Sequence, residues 1–269
     1  MKIIVDQNIW YKLGRALSND NANANYIKQN LVSTWLNSEE FYYSKNVANS
    51  KGKLKEYIFA VKACCYYSIH YFPENPIEYL LGFQDQESLK SSLKYWEMLK
   101  VLARTNLELK FKLTENDTLL KDFKNLIISK KNERVESVVN YLNEKISLDR
   151  IKYNNYSQVE KQLFKDNMGI ENDRITKKVL KSVCEAYFTT DVITERWDLI
   201  NWSDFKLFIY CFKHVYCNKL ELRQAFTVND VFDLFYLLYV GNEDKIWTNE
   251  NLWVNMINCD AKMRKYLYV

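Results

Sequence analysis

The chain has 269 residues, 48% of them hydrophobic, with 38 basic against 34 acidic side chains and a net charge of +4. That is enough apolar material for one large or two small domains, and the mild basic excess permits a nucleic-acid partner without requiring one. With 5 Gly, 2 Pro and 2 His, no Gly-rich phosphate loop, no C-x-x-C pair and no run of about 18 apolar residues, the sequence argues against loop-bound nucleotide chemistry, a Cys/His zinc site and a membrane span.

In chain order, residues 2–5 (KIIV) read as a strand that ends on Asp6. They do not read as a basic segment followed by a long apolar one, so no secretory leader is expected. The six cysteines (Cys64, Cys65, Cys184, Cys211, Cys217 and Cys259) are therefore expected to be reduced thiols of a cytoplasmic protein. Residues 9–17 read as a short helix and 19–25 (NDNANAN) as a polar loop. NLVST at 30–34 predicts a second strand, with Asn37 or Ser38 as the cap of the helix that follows. Residues 53–72 carry apolar residues at helical spacing until Pro73 and Pro76 interrupt the chain.

From 85 to about 200 the pattern is helical throughout, rich in Lys, Glu, Asn and Leu, with helices expected over 86–113, around VESVVNYLNEKI and over 173–188. No repeat of fixed period is present. Residues 203–217 predict a buried helix. The next helix, in TVNDVFDLFYLLYVG, is expected to be capped by Asn229 and ended by Gly241. KIWT at 245–248 predicts a short strand, followed by a last helix capped by Thr248 or Asn249. Strands at the two ends with helices between them predict an α/β core, residues 1–84 and 201–269, carrying a large all-helical insertion, residues 85–200.

The acids fall at strand ends and helix starts: Asp6 after the first strand, Glu39 and Glu40 after the second, Asp230 and Asp233 three apart on one helix, Glu250 after the last strand. Each taken singly has an ordinary explanation, since carboxylates oppose the positive end of a helix dipole and Asp and Asn make turns and caps. The other explanation is a crevice at the carboxyl ends of parallel strands, where open α/β sheets bind ligands. Two unit charges about 5 Å apart repel by roughly 3 kcal/mol at an effective dielectric near 20. A cluster of such acids therefore calls for a cation or shared protons, and oxygen-only donors select Mg²⁺ or Mn²⁺ over zinc.

These stretches resemble the PIN-domain nucleases, in particular larger bacterial members that begin strand–Asp–x–Asn–aromatic. The resemblance rests on IIVDQNIWYKLG, on STWLNSEEFYYSKNV and on NDVFDLFYLLYV followed by KIWTNENLW, about 60 residues at the two ends of the chain. It implies a parallel-sheet core flanked by helices and a metal-dependent endoribonuclease. Asp6, Glu40, Asp233 and Glu250 would hold Mg²⁺ or Mn²⁺, and Asn8 would orient Asp6 or a water. Glu40 fits the family pattern better than Glu39; Asp230 is the other open substitute. RNA is the implied partner, single-stranded nucleic acid more broadly, with a homodimer or a protein inhibitor as further partners and a toxin or defence effector as a role. The alternative is a non-catalytic PIN-like module that binds nucleic acid or a protein through its helical region. The chain departs from the family in being about twice the size of a minimal domain. The expected strand between the second and third acids is also indistinct, with residues 69–72 the nearest candidate.

Other features carry milder expectations. Tyr pairs such as Tyr42–Tyr43 and Tyr66–Tyr67 could stack on bases, but most of the 20 tyrosines are expected to pack in cores. The basic groups at 51–55, 130–134 and 175–181 could hold phosphates or simply form solvated helix faces. Lys177, Lys178 and Lys181 are expected to bring positive charge to the acidic cleft. Arg223 could reach the cleft or make a salt bridge, and His214 is expected to be a core residue.

Overall fold

The structure is a computed structural model that describes residues 1–18, 30–42, 51–104, 133–167 and 174–268. The predicted loop at 19–25, residues 105–113 of the predicted helix, Tyr43, Asp173 and residues 130–132 of the basic group at 130–134 lie outside the described residues.

Four short strands, β1 (Ile3–Val5), β2 (Leu31–Thr34), β3 (His70–Phe72) and β4 (Lys245–Trp247), form one sheet in the order β3-β2-β1-β4. Every pairing is parallel, with Ile4 opposite Val32 on one side and Ile246 on the other. The predicted strands thus form within a residue of their expected bounds. The indistinct strand is β3, so the helix expected over 53–72 stops at Tyr67.

Parallel strands need crossovers that cover both faces of the sheet, which is why these strands are apolar runs. Successive side chains alternate between the faces. Ile3, Val5 and Leu31 enter one core with Trp10, Tyr57, Ile58, Trp96 and Leu99. Those partners come from α1 (Gln7–Ser18), α3 (Lys51–Tyr67) and α5 (Gln86–Arg104). Ile4, Val32 and Ile246 enter a second core on the opposite face. It is filled from α2 (Trp35–Tyr42), α4 (Pro76–Leu81), α6 (Glu133–Asn154), α8 (Arg174–Tyr187), α9 (Thr190–Trp197), α10 (Lys206–Glu221), α11 (Val228–Tyr236) and α12 (Asn251–Cys259). One further helix, α7 (Gln158–Asn167), has no buried residue. The described part of the 85–200 region is helical, and its α5, α6, α8 and α9 contribute side chains to the same two cores as the sheet.

Local chemistry sets several boundaries. Pro73 follows β3, Asn75 and Glu78 make a reciprocal capping box around Pro76 at the first position of α4, and Gly82 ends that helix with φ 57°. The buried helix expected over 203–217 is α10, preceded by a 3₁₀ turn at Trp202–Phe205. The six cysteines are all unpaired. Tyrosines pack as expected, with Tyr57, Tyr216, Tyr239 and Tyr266 fully buried, whereas Tyr66 stands 78% exposed beside the buried Tyr67. No helix among the described residues is long and apolar enough to cross a membrane.

α1 and α3 touch backbone to backbone at Gly14, where an added Cβ would lie 2.5 Å from the Ala60 nitrogen and 2.6 Å from the Phe59 carbonyl carbon. In an open helix Gly→Ala gains up to about 1 kcal/mol. Here the clash is with main chain that cannot swing aside, and overpacking costs about 1–3 kcal/mol. Gly14→Ala is therefore expected to lower the urea midpoint of unfolding; a raised midpoint would show that the two helices can part freely.

Candidate active site at the carboxyl edge of the sheet

Chain order runs β1, β2, β3 to one side of the sheet and then jumps to β4 on the other side of β1. The reversal therefore falls between β1 and β4, and the carboxyl ends of strands at such a reversal are the usual ligand position in open α/β sheets. Asp6 follows β1 directly, and its backbone N–H still donates to the Trp247 carbonyl of β4 at 3.0 Å. Its carboxylate is 9% exposed and accepts a 2.7 Å bond from the Thr248 hydroxyl. That hydroxyl in turn accepts the Glu250 N–H at 3.0 Å. Glu250 closes the ring by accepting from the side-chain amide of Asn8, two residues past Asp6. Asp6 also caps α1, because the N–H groups of Gln7 and Asn8 face its carboxylate. The capping role of this side chain is realised, and it stands at the carboxyl end of a parallel strand.

Glu40 comes from α2, which begins at Trp35 straight out of β2. Asn37 and Ser38 therefore lie inside the helix and do not cap it. Asn37 is fully buried and folds back across three elements. Its carbonyl oxygen accepts the Thr34 N–H at 2.9 Å, and its amide donates to the Val5 carbonyl at 3.1 Å and to the Tyr236 hydroxyl at 2.9 Å. The Tyr236 hydroxyl then donates to Glu40 at 3.2 Å. A single chain of bonds thus carries β1, β2 and α11 to the Glu40 carboxylate.

Asp233 and Asp230 both stand on α11, which Thr227 caps in place of the expected Asn229. Asp230 completes that capping box and pairs with Lys219 at 2.9 Å. Burial pushes its carboxyl up, but the bonds from Thr227 and Lys219 outweigh that and hold it below its ordinary range. Glu39 is buried on the side of α2 that faces Tyr71 and Tyr95. The last helix, α12, is preceded by Glu250 at its cap position, so Thr248 is free to bridge two acids instead of capping it.

Asp6, Glu40, Asp233 and Glu250 share one field. Burial first, and then the Glu250 charge, push Asp6 up to about 6 against the pull of Thr248 and the α1 amides. Burial, then Asp6, Glu250 and Asp230, push Asp233 up to about 7. Glu40 keeps part of its surface open to solvent. Even so, burial and the charges of Asp6 and Asp233 raise it well above its ordinary value, with only the Tyr236 hydroxyl in strong opposition. Uncompensated carboxylates of this kind, with oxygen donors only, suit a hard divalent cation. Among the described residues no group of three or more His, Cys, Asp or Glu side chains stands at metal-holding spacing. The acids are near enough to repel one another and are not gathered into a coordination shell.

Lys177 lies 4.8 Å over the Trp202 ring and Lys181 5.8 Å over the Trp197 ring, where α8 meets α9 and the 3₁₀ turn. Arg223 lies at the end of α10 beside Tyr153, Lys161 and Glu221. His214 is half-buried against Tyr210, ring centroids 4.5 Å apart, and burial lowers its proton affinity as expected of a packed histidine. Sequence reasoning missed Tyr236 and Asn37 as supports of the site and took Thr248 only as a cap. The Thr-x-Glu spacing was the one visible signal. The chain matches no family model, no curated protein and no solved structure.

Raised carboxyl groups make stability depend on pH in a definite direction. Asp6, Glu40 and Asp233 bind protons more tightly in the folded chain than in the unfolded one; the contribution of Asp6 and Asp233 is complete below about pH 4 and lost as the pH rises through about 6 to 7, and Glu40, raised well above its ordinary value, acts in the same direction. Without divalent cation, the melting temperature is expected to fall between about pH 5 and pH 8, and Asp233→Asn should flatten that slope. A ligand that binds only the folded state stabilises it, so millimolar Mn²⁺ should raise the melting temperature most at the alkaline end. A metal-free melting temperature that climbs over the same interval would contradict the crowding of these acids.

Proposed function

We propose that this chain is a metal-dependent endoribonuclease of the PIN-like kind. The observation that carries the reading is the set of mutually repelling carboxylates from β1, α2, α11 and the β4–α12 link, placed where a parallel sheet reverses its strand order. Asp6, Glu40 and Asp233 would hold Mg²⁺ or Mn²⁺, with Glu250 assisting. The cation supplies neutralisation of phosphate charge and a water made more acidic. The chain's own groups do the positioning. Thr248 fixes one oxygen of Asp6, Asn8 restrains Glu250, and Tyr236 orients Glu40.

A second reading is favoured by one observation, the lack of a ready-made metal-holding group among the described residues. In that reading the chain is a non-catalytic PIN-like module that binds nucleic acid or a protein through its helical region, and the acids only crowd one another.

Cleavage of a generic single-stranded RNA in Mn²⁺ separates the two. Asparagine is a good cap, so a purely structural Asp6 should tolerate Asp6→Asn at a cost of a few tenths to about 1 kcal/mol. A ligand would not: loss of an outer-shell partner alone typically costs about 10–100-fold. Asp6→Asn and Asp233→Asn are each expected to lose at least about 100-fold in cleavage while remaining folded, and Thr248→Val about 10–100-fold. The double Asp variant should be little worse than either single one, because both disable the same site. Wild-type cleavage rates in Asp6→Asn would remove the nuclease assignment.

A further inference from the structure

Away from the acids lies a polar hollow of about 350 Å³ between the end of α6, one face of α7 and the end of α10. Gln158, Lys161 and Lys165, at positions i, i+3 and i+7 of α7, line one wall, and Tyr153, Glu221 and Arg223 line the others. Three cationic heads face one carboxylate. Glu221 is already engaged, since it pairs with Lys165 and accepts the Tyr153 hydroxyl at 2.8 Å. That leaves Lys161, 5.4 Å over the Tyr153 ring, and Arg223, for which the described residues provide no hydrogen bond or ion pair.

Arg223 is the position that separates this hollow from an ordinary solvated face. It is the one described non-glycine residue with positive φ, 55°. It follows α10 at the left-handed site where helices usually carry glycine, and the Gln224 N–H closes the turn on the Lys219 carbonyl at 2.9 Å. Arg150 fixes the same turn by donating to the Lys219 and Gln224 carbonyls. The chain holds an arginine where glycine would be less strained, on a pinned turn, with its guanidinium free to reach a ligand. The last turn of α10 is also tied through Lys219 to Asp230, one turn before Asp233 on α11.

We infer that this hollow binds phosphate oxygens of a nucleic-acid strand through Lys161 and Arg223, with Gln158 as a neutral donor. The general class, phosphate, follows from two cations without an ion-pair contact, Arg223 and Lys161, in an open polar recess with three cationic heads to one carboxylate, with Arg supplying the forked donors that phosphate accepts. The assignment to a strand rests on the nuclease reading. The hollow is then a holding site for substrate away from the scissile bond, and Glu221 tempers its affinity by occupying Lys165.

Anisotropy of a short labelled single-stranded RNA, measured in EDTA so that cleavage plays no part, tests this with three variants of the full chain. Arg223→Gly removes the charge and relieves the left-handed strain, so its melting temperature should equal or exceed that of the wild type while RNA binding weakens. Together with Lys161→Gln, the loss should be on the order of tenfold, and the slope of log K against log salt should become shallower by about 1.4, roughly 0.7 for each single-strand phosphate contact. Glu221→Gln should change binding in the opposite direction, towards tighter and more salt-dependent association. Equal affinity and equal salt slope in wild type and the Arg223→Gly, Lys161→Gln double variant would overturn the inference. Displacement of a bound dye by inorganic phosphate, with no RNA binding by the wild type, would overturn the assignment to nucleic acid. RNA binding that weakens in the variants, from a wild type that cleaves nothing in Mn²⁺, would uphold the hollow and sink the nuclease reading.

Discussion

β1 has a parallel neighbour on each edge and an apolar core against each face. Three residues carry this arrangement, Ile3 and Val5 pointing one way and Ile4 the other, and all three are essentially inaccessible to water. Such a strand has no freedom of register, because a slip of one residue would exchange its two faces. Everything at the carboxyl edge inherits that rigidity. Asp6 is fixed by the last rung of the β1–β4 ladder, and Asn37 reads the position of β1 through the Val5 carbonyl.

Rigidity is what allows like charges to be kept together. Carboxylates a few ångströms apart would separate if their backbones could relax, since at the effective dielectric near 20 of a partly buried site their repulsion is about 3–4 kcal/mol, several times thermal energy. Here three of the four acids are restrained by an uncharged donor: Thr248 for Asp6, Tyr236 for Glu40, Asn8 for Glu250. Each such bond contributes about 1 kcal/mol, and more to a charged acceptor. At Asp6 the Thr248 bond only partly offsets burial and the Glu250 charge, so it holds its proton up to about 6, while burial and the neighbouring acids push Asp233 up to about 7. Protonation relieves the mutual charge at this site.

The helical region contributes to the same architecture. α5 lays Trp96 and Leu99 against the β1 side of the sheet, and Trp96 stacks on Tyr71 of β3 with centroids 4.3 Å apart. α6 places Val138, Leu142 and Ile146 in the opposite core, and Asn143 brackets Phe226 by bonding both its N–H and its carbonyl, just before the Thr227 cap of α11. The orientation of α11, and with it Asp233, is therefore set partly by residues more than 80 positions away. The polar hollow uses the other end of this helix pair, where α6 and α10 run out and α7 turns back.

By itself the sequence determined the short apolar strands β1, β2 and β4, the acids that follow them, the break at Pro73 and Pro76 and the burial of α10, because each depends on a few neighbouring residues. It also made Asp6, Glu40, Asp233 and Glu250 the acids to examine. It did not determine which of them meet, nor that Asn37 would sit inside a helix and bridge three elements, nor that Thr248 would join two acids. Asn37 and Thr248 carry side chains that cap helices well, and local chemistry assigned them that role. What decided otherwise was the pairing of β1 with β4 and the bonds that Tyr236 of α11 makes to Asn37 and Glu40 of α2. Those contacts close loops of about 200 residues or more. No local pattern encodes them, because they are fixed only when both faces of β1 are buried at once.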